Sequence, residues 1–128
     1  MYKSNAVQEL LNYIDNTTLW KVLTCNDGIR FDIDYYEISY SFFVWVDDYY
    51  EDDEEAIVDI AKKVWNVYTS FDVSTEAYKR LDKYGYYISD SRYNMLNVYE
   101  YVEMCKDKID ELYMDLINYY DEIRERLL

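Results

Sequence analysis

Apolar residues recur along this chain with two different periods, and each period marks an element. Val7, Leu10, Leu11 and Ile14 fall at helical spacing, so residues 4–15 read as a helix with Ser4 as its cap. Residues 17–25 read as a strand. Asn26-Asp27-Gly28 is a hairpin signal, because glycine tolerates the positive φ such turns require. Ile29, Phe31 and Ile33 then alternate with Arg30, Asp32 and Asp34, which predicts one dry and one wet face. A second alternating run, Ile38, Tyr40, Phe42, Val44 and Val46, has Ser39, Ser41, Phe43 and Trp45 on its other side. With a turn near Tyr35–Glu37, these runs predict a three-stranded antiparallel meander.

Helical spacing returns at 52–70, where Ile57, Ile60, Ala61, Val64, Tyr68 and Phe71 form the stripe to be buried. A short helix over 75–84 follows, with Ser74 as cap and Gly85 as its C-terminal residue. Residues 86–93 carry no clear period. The last segment, 94–127, is a long helix. Its seam runs through Met95, Val98, Val102, Cys105, Ile109, Leu112, Leu116, Tyr119 and Ile123, at alternating steps of three and four, and Tyr113 and Ile117 widen it. A helix of that length spans roughly 50 Å. Its C-terminal part is therefore expected to protrude, and a bare seam would be covered by a partner helix or a second copy. The expected fold is α+β, one domain over 1–128, in the order α-β-β-β-α-α-α.

Charge changes this picture. The chain carries 27 Asp+Glu against 13 Lys+Arg, a net charge of −14. A magnitude of roughly 2–8 suffices for a small domain, and the excess repels itself. Seven carboxylates fall in the nine residues Asp47-Asp48-Tyr49-Tyr50-Glu51-Asp52-Asp53-Glu54-Glu55. Acids at a helix N-terminus each contribute roughly 0.3–1 kcal/mol through the helix dipole. Two or three would serve that purpose, and Asp47 and Asp48 precede the helix. A second set lies on the last helix: Glu100, Glu103, Asp107, Asp110, Glu111, Asp115, Asp121, Glu122 and Glu125 recur mostly at three- or four-residue steps. That stripe runs roughly 38 Å, comparable with the roughly 34 Å of one turn of duplex. An ordinary solvated helix face, softened by Lys106 and Lys108, accounts for the same pattern.

Eighteen Tyr and eight Asn suggest AT-rich codons, yet the same bias should raise Lys, of which there are eight. The scarcity of Lys thus points to selection for negative charge. Tyrosine also supplies rigid amphipathic contact area.

Catalytic chemistry finds little to build on. The absence of His removes imidazole catalysis, serine triads of the usual kind and common zinc sites. Two glycines cannot make a phosphate loop. Asp32, Asp34 and Glu37 match no calcium-loop spacing, so no metal or other cofactor is expected. Cys25 and Cys105 are expected to be buried free thiols. No apolar run is long enough for a membrane span, and the N-terminus lacks signal-peptide character, so a cytoplasmic, non-membrane protein is expected. Direct nucleic-acid binding is disfavoured, because phosphates would be repelled.

In acidity, size and aromatic content the chain resembles the small nucleic-acid mimics of phages and mobile elements, the anti-CRISPR and anti-restriction class. The likeness rests on Asp47–Glu55, the Glu100–Glu125 stripe and the scarcity of Lys, and covers no aligned motif. It implies an inhibitor, not an enzyme, that fills the nucleic-acid channel of a basic partner such as a defence nuclease. Asp47, Asp48, Glu51, Asp52, Asp53, Glu54 and Glu55 would meet channel Arg and Lys, with Tyr49 and Tyr50 packed between them. Glu100, Glu103, Asp107, Asp110 and Glu111 would add a second contact. Two alternatives share much of this pattern. One is an immunity protein or antitoxin against a basic toxin. The other is an assembly or regulatory subunit that pairs, as a homodimer or otherwise, through the long helix.

Overall fold

The computed structural model describes residues 1–35, 38–71 and 98–127. Within them, helix α1 (Asn5–Thr17) precedes strands β1 (Trp20–Thr24), β2 (Gly28–Tyr35) and β3 (Ile38–Trp45), then helices α2 (Asp53–Thr69) and α3 (Val98–Leu127). The class is α+β, with a three-stranded antiparallel sheet in the order β1-β2-β3 and a long C-terminal helix. The short helix expected at 75–84, its flanking Ser74 and Gly85, residues 86–93 and Met95 lie outside the described residues, as do Tyr36 and Glu37 of the expected turn.

Local chemistry explains the boundaries. The Ser4 hydroxyl accepts the Val7 N–H at 3.1 Å and starts α1. Thr17 and Thr18 donate their hydroxyls to the carbonyls of Tyr13 and Ile14, which draws them into the helix end. The strand expected from residue 17 therefore begins only at Trp20. At α2, Asp52 is the cap and accepts the Glu55 N–H at 2.8 Å, while the Glu55 carboxylate accepts the Glu51 N–H at 2.7 Å. This reciprocal arrangement is a variant of the capping box.

The alternation in β2 and β3 is obeyed. Ile29, Phe31, Ile33, Ile38, Tyr40 and Val44 are buried on one face, and Phe31 stacks on its cross-strand partner Phe42. Trp20 adds the β1 share of that face and donates its indole N–H to the Lys108 carbonyl of α3 at 3.0 Å. The buried stripes of α1 (Val7, Leu10, Leu11, Ile14) and α2 (Ala56, Ile57, Ile60, Ala61, Val64) join the same core. Tyr68 and Phe71, expected in the α2 stripe, are half-buried, and Phe71 packs on Tyr40.

Three expectations are corrected. First, α3 does not present a bare seam. Val102, Cys105, Ile109, Leu112, Leu116 and Ile123 are all buried within the single chain, Ile123 to 1% exposure. Tyr119 stacks on Tyr13 of α1 at 4.2 Å, and Tyr113 packs against Trp65 of α2. The 30-residue helix, about 45 Å long, lies along α1 and α2, so the apolar stripe is used inside the fold among the described residues. Second, Cys25 is exposed, because it sits at the β1–β2 hairpin, where its N–H bonds the Gly28 carbonyl; Cys105 is buried as expected, and neither is in a disulfide. Third, Gly28 serves packing and not a positive φ. A β-carbon there would collide with the Val44 carbonyl oxygen and lie 2.8 Å from the Phe43 ring. The absent side chain lets β3 and the Phe43 ring close over the strand.

Two substitutions test these corrections. Gly28→Ala should destabilise the fold by roughly 1–3 kcal/mol, read from urea unfolding. Ile123→Ala should cost roughly 2–5 kcal/mol in the same measurement, as for a fully buried core residue, and leave the mass in light scattering unchanged.

Candidate functional site

The chain between β3 and α2 turns a corner, and backbone bonds hold it. The Tyr2 N–H donates to the Asp47 carbonyl at 2.7 Å, and the Val46 N–H donates to the Asp27 carbonyl at 2.9 Å. The Tyr50 ring plugs the corner from inside, edge-on to the Tyr2 ring at 5.2 Å. Its hydroxyl accepts the Asp47 N–H at 3.2 Å and donates to the Asp59 carboxylate. Tyr50, expected among the partner contacts, is only 6% exposed and lies mostly in the core, with an edge on an acidic cleft. Its neighbour Tyr49 is 77% exposed and available to a partner.

The carboxylates of the run divide by how they are held. Asp52 and Glu55 cap α2. Asp53 accepts the Tyr2 hydroxyl and Glu54 accepts the Tyr120 hydroxyl, each at 2.6 Å. Asp48 is exposed and lies 3.1 Å from the Met1 ammonium. Asp47 and Glu51 are exposed and point outward without such a task. Together they shape an open cleft of about 570 Å³. Asp47, Glu51, Asp52, Glu54, Glu55 and Asp59 line it, and Lys62 is its single lining cation.

The electrostatics follow from those bonds. The hydrogen bond to Asp53, then burial and the charges of Asp53 and Asp52, push the Tyr2 hydroxyl up from 10.0 to about 12. Burial, then the bond to Asp59, raises Tyr50 further, and the bond to Glu54 raises Tyr120. Burial alone would raise Asp59. The hydrogen bonds from Tyr50 and Lys63, with the charges of Lys63 and Lys62, outweigh it and leave the carboxyl below its ordinary 3.8. Three tyrosine hydroxyls thus anchor acids of this corner, and they do so without neutralising them.

The second set of acids is elsewhere. Glu100, Glu103, Asp107 and Glu111 are exposed on α3, Asp110 is half-buried, and Glu111 pairs with Lys108 at 3.2 Å. Lys106 sits over the Tyr68 ring at 4.8 Å, while Tyr120 reaches Glu54. α2 and α3 therefore run antiparallel, and the Glu100 end of the stripe lies toward the far end of α2 from the cleft. The Glu100–Glu111 acids are thereby set apart from the cleft, while the Asp121 end of the stripe lies beside Tyr120 and Glu54. Farther along the stripe, burial and the neighbouring Glu111 raise the Asp115 carboxyl.

Asp32 bonds Arg30 at 2.7 Å and Asp34 is exposed; among the described residues no group of acids or thiols is arranged to hold a metal ion. Nor, among those residues, is any helix long and apolar enough to cross a membrane. Sequence reasoning missed Asp59, although Asp52, Glu55, Asp59 and Lys62 recur at three- and four-residue steps on one face of α2. Nothing in the sequence marks Tyr2 and Tyr120, whose partners are 51 and 66 residues away. No family model, curated protein or solved structure matches the chain.

The tyrosine anchors predict a pH dependence. Each hydroxyl is held in its protonated form, with a folded value above the unfolded one. Their stabilisation is therefore complete below pH 10 and is lost as pH rises through the folded values, about 12 for Tyr2. Thermal melts should fall steeply above pH 10, and Tyr2→Phe should lessen that fall. Absorbance titration of tyrosinate should show a late-ionising group that the same substitution removes.

Proposed function

We propose that this protein is an inhibitor that imitates nucleic acid and blocks the binding channel of a basic, nucleic-acid-handling enzyme, with a defence nuclease of the CRISPR or restriction type as the target. The acidic cleft carries this reading: six carboxylates face one concavity, offset in part by Lys62 and by Lys63, which pairs with Asp59. Arg and Lys side chains that evolved to grip phosphates would find carboxylate oxygens there, at charge-assisted hydrogen-bond distance. The net charge of −14 would speed the encounter and make it salt-dependent. The chain acts by occupying the channel, binds no nucleic acid itself, and works in the cytoplasm, where such a nuclease meets its substrate.

One observation favours a second reading, an immunity protein or antitoxin for a basic toxin. The cleft acids gather in one corner, apart from Glu100–Glu111 of α3, which suits a single dedicated basic partner as well as it suits a phosphate track. An assembly role through the α3 seam has no such support, since the seam is spent in the core.

The test uses acids that the fold does not need. Asp47→Lys combined with Glu51→Lys should leave the melting temperature nearly unchanged. It should weaken capture of the partner from nuclease-treated bacterial lysate by about tenfold or more at low salt, with a shallower salt dependence. Displacement of that partner by added DNA or RNA supports mimicry. Undiminished capture by the double variant would overturn the cleft as the contact, and a captured partner indifferent to nucleic acid would favour the immunity reading.

A further inference from the structure

The exposed end of the sheet supplies what the acidic cleft lacks. Past the end of β3 the alternation runs on only to Asp47: Val44, Val46 and Tyr50 are buried, while Phe43, Trp45, Asp47, Asp48 and Tyr49 are exposed. Trp45 is 63% and Tyr49 77% exposed, far more than large aromatics held for packing. Phe43 and Trp45 meet edge to face at 4.9 Å, and the Phe43 ring is fixed over Gly28. This aromatic pair forms a ridge joined to the cleft through the chain: Asp47 and Tyr49, which follow Trp45, line the cleft, and Lys63 bonds both the Trp45 carbonyl and Asp59. The native cation nearest by register, Arg30, is bonded to Asp32 and so drawn toward the Ser41 end of the sheet.

We propose that the ridge and the cleft form one docking surface for an arginine-bearing face of a basic protein partner, with guanidinium groups lying on Trp45 and Tyr49 while they bond Asp47 and Glu51. This rests on the inhibitor reading and adds the chemistry of its partner. Charge selects the occupant. A second copy would bring another −14 onto an already acidic corner, whereas a basic face neutralises it. Shape and chemistry select the side chain. A guanidinium is planar and weakly hydrated, stacks on an aromatic ring and still presents its edge to a carboxylate; an ammonium keeps its water and gains less from the ring. Exposed tryptophan and tyrosine beside acids are also the residue types that dominate binding hot spots.

The experiment compares an arginine-rich and a lysine-rich peptide of equal length and charge, titrated calorimetrically at one salt concentration into the wild type and into Trp45→Ala/Tyr49→Ala. Both positions are exposed, so the variant should fold, and an unchanged melting curve checks this. The wild type should bind the arginine peptide about three- to tenfold more tightly. The double variant should lose that preference while its affinity for the lysine peptide stays the same. Equal binding of the two peptides by the wild type, a preference that survives in the variant, or a dimer in sedimentation that the variant abolishes would each overturn the proposal. The inhibitor reading fails separately: an arginine preference in a chain whose captured partner ignores nucleic acid leaves this surface standing and removes the mimicry.

Discussion

A carboxylate held by a tyrosine hydroxyl keeps its charge, and the acidic corner depends on that fact. An ion pair would anchor Asp53 or Glu54 as firmly but cancel the field around it. Tyr2 and Tyr120 instead donate neutral O–H groups to Asp53 and Glu54, and Tyr50 does the same for Asp59, which Lys63 also pairs. Each bond to a charged acceptor is worth roughly 1.5–3 kcal/mol, enough to offset part of the repulsion among neighbouring acids. The abundance of Tyr and the scarcity of Lys are then two sides of one solution. Two of the same rings also fill the corner, Tyr50 packing edge-on against Tyr2.

The rest of the fold serves that arrangement. The helices cover one face of the meander and take up the described seam of α3, so the long helix stiffens the domain. Its antiparallel course along α2 brings Tyr120 to the start of α2 and carries the Glu100–Glu111 acids away from it. Of what reads along the chain as one surface, the Glu100–Glu111 part is set apart from the corner and the Asp121 end comes near it. The densest acidic surface is therefore at the corner and not along the whole of α3. The aromatic ridge of β3 points the same way, since it adds contact area at the corner and not along α3.

Much of the fold is legible in the residues because burial imposes a period. Val7 to Ile14, Ile29 to Ile33 and Ile38 to Val46 each announce their element, and Ser4 announces a helix start. Boundaries were less legible. The Thr17 and Thr18 hydroxyls compete locally for helix carbonyls, an effect that strand propensity does not reveal. Asp47, Asp48 and Glu51 are exposed as the charge density suggests, but Tyr50, identical in type to its neighbour Tyr49, faces inward. Only the direction of the chain at the corner separates the two.

The sequence by itself determined the class of fold, the inner faces of its strands and helices, and the sign of its surface, because each follows from local period and composition. The tertiary structure alone decided that the α3 seam closes on its own chain, that Gly28 is a space requirement, and that Tyr2, Tyr50 and Tyr120 hold the acids. Those contacts join residues from 9 to 66 positions apart, and no local rule couples side chains across the longer of those gaps until the core brings them together.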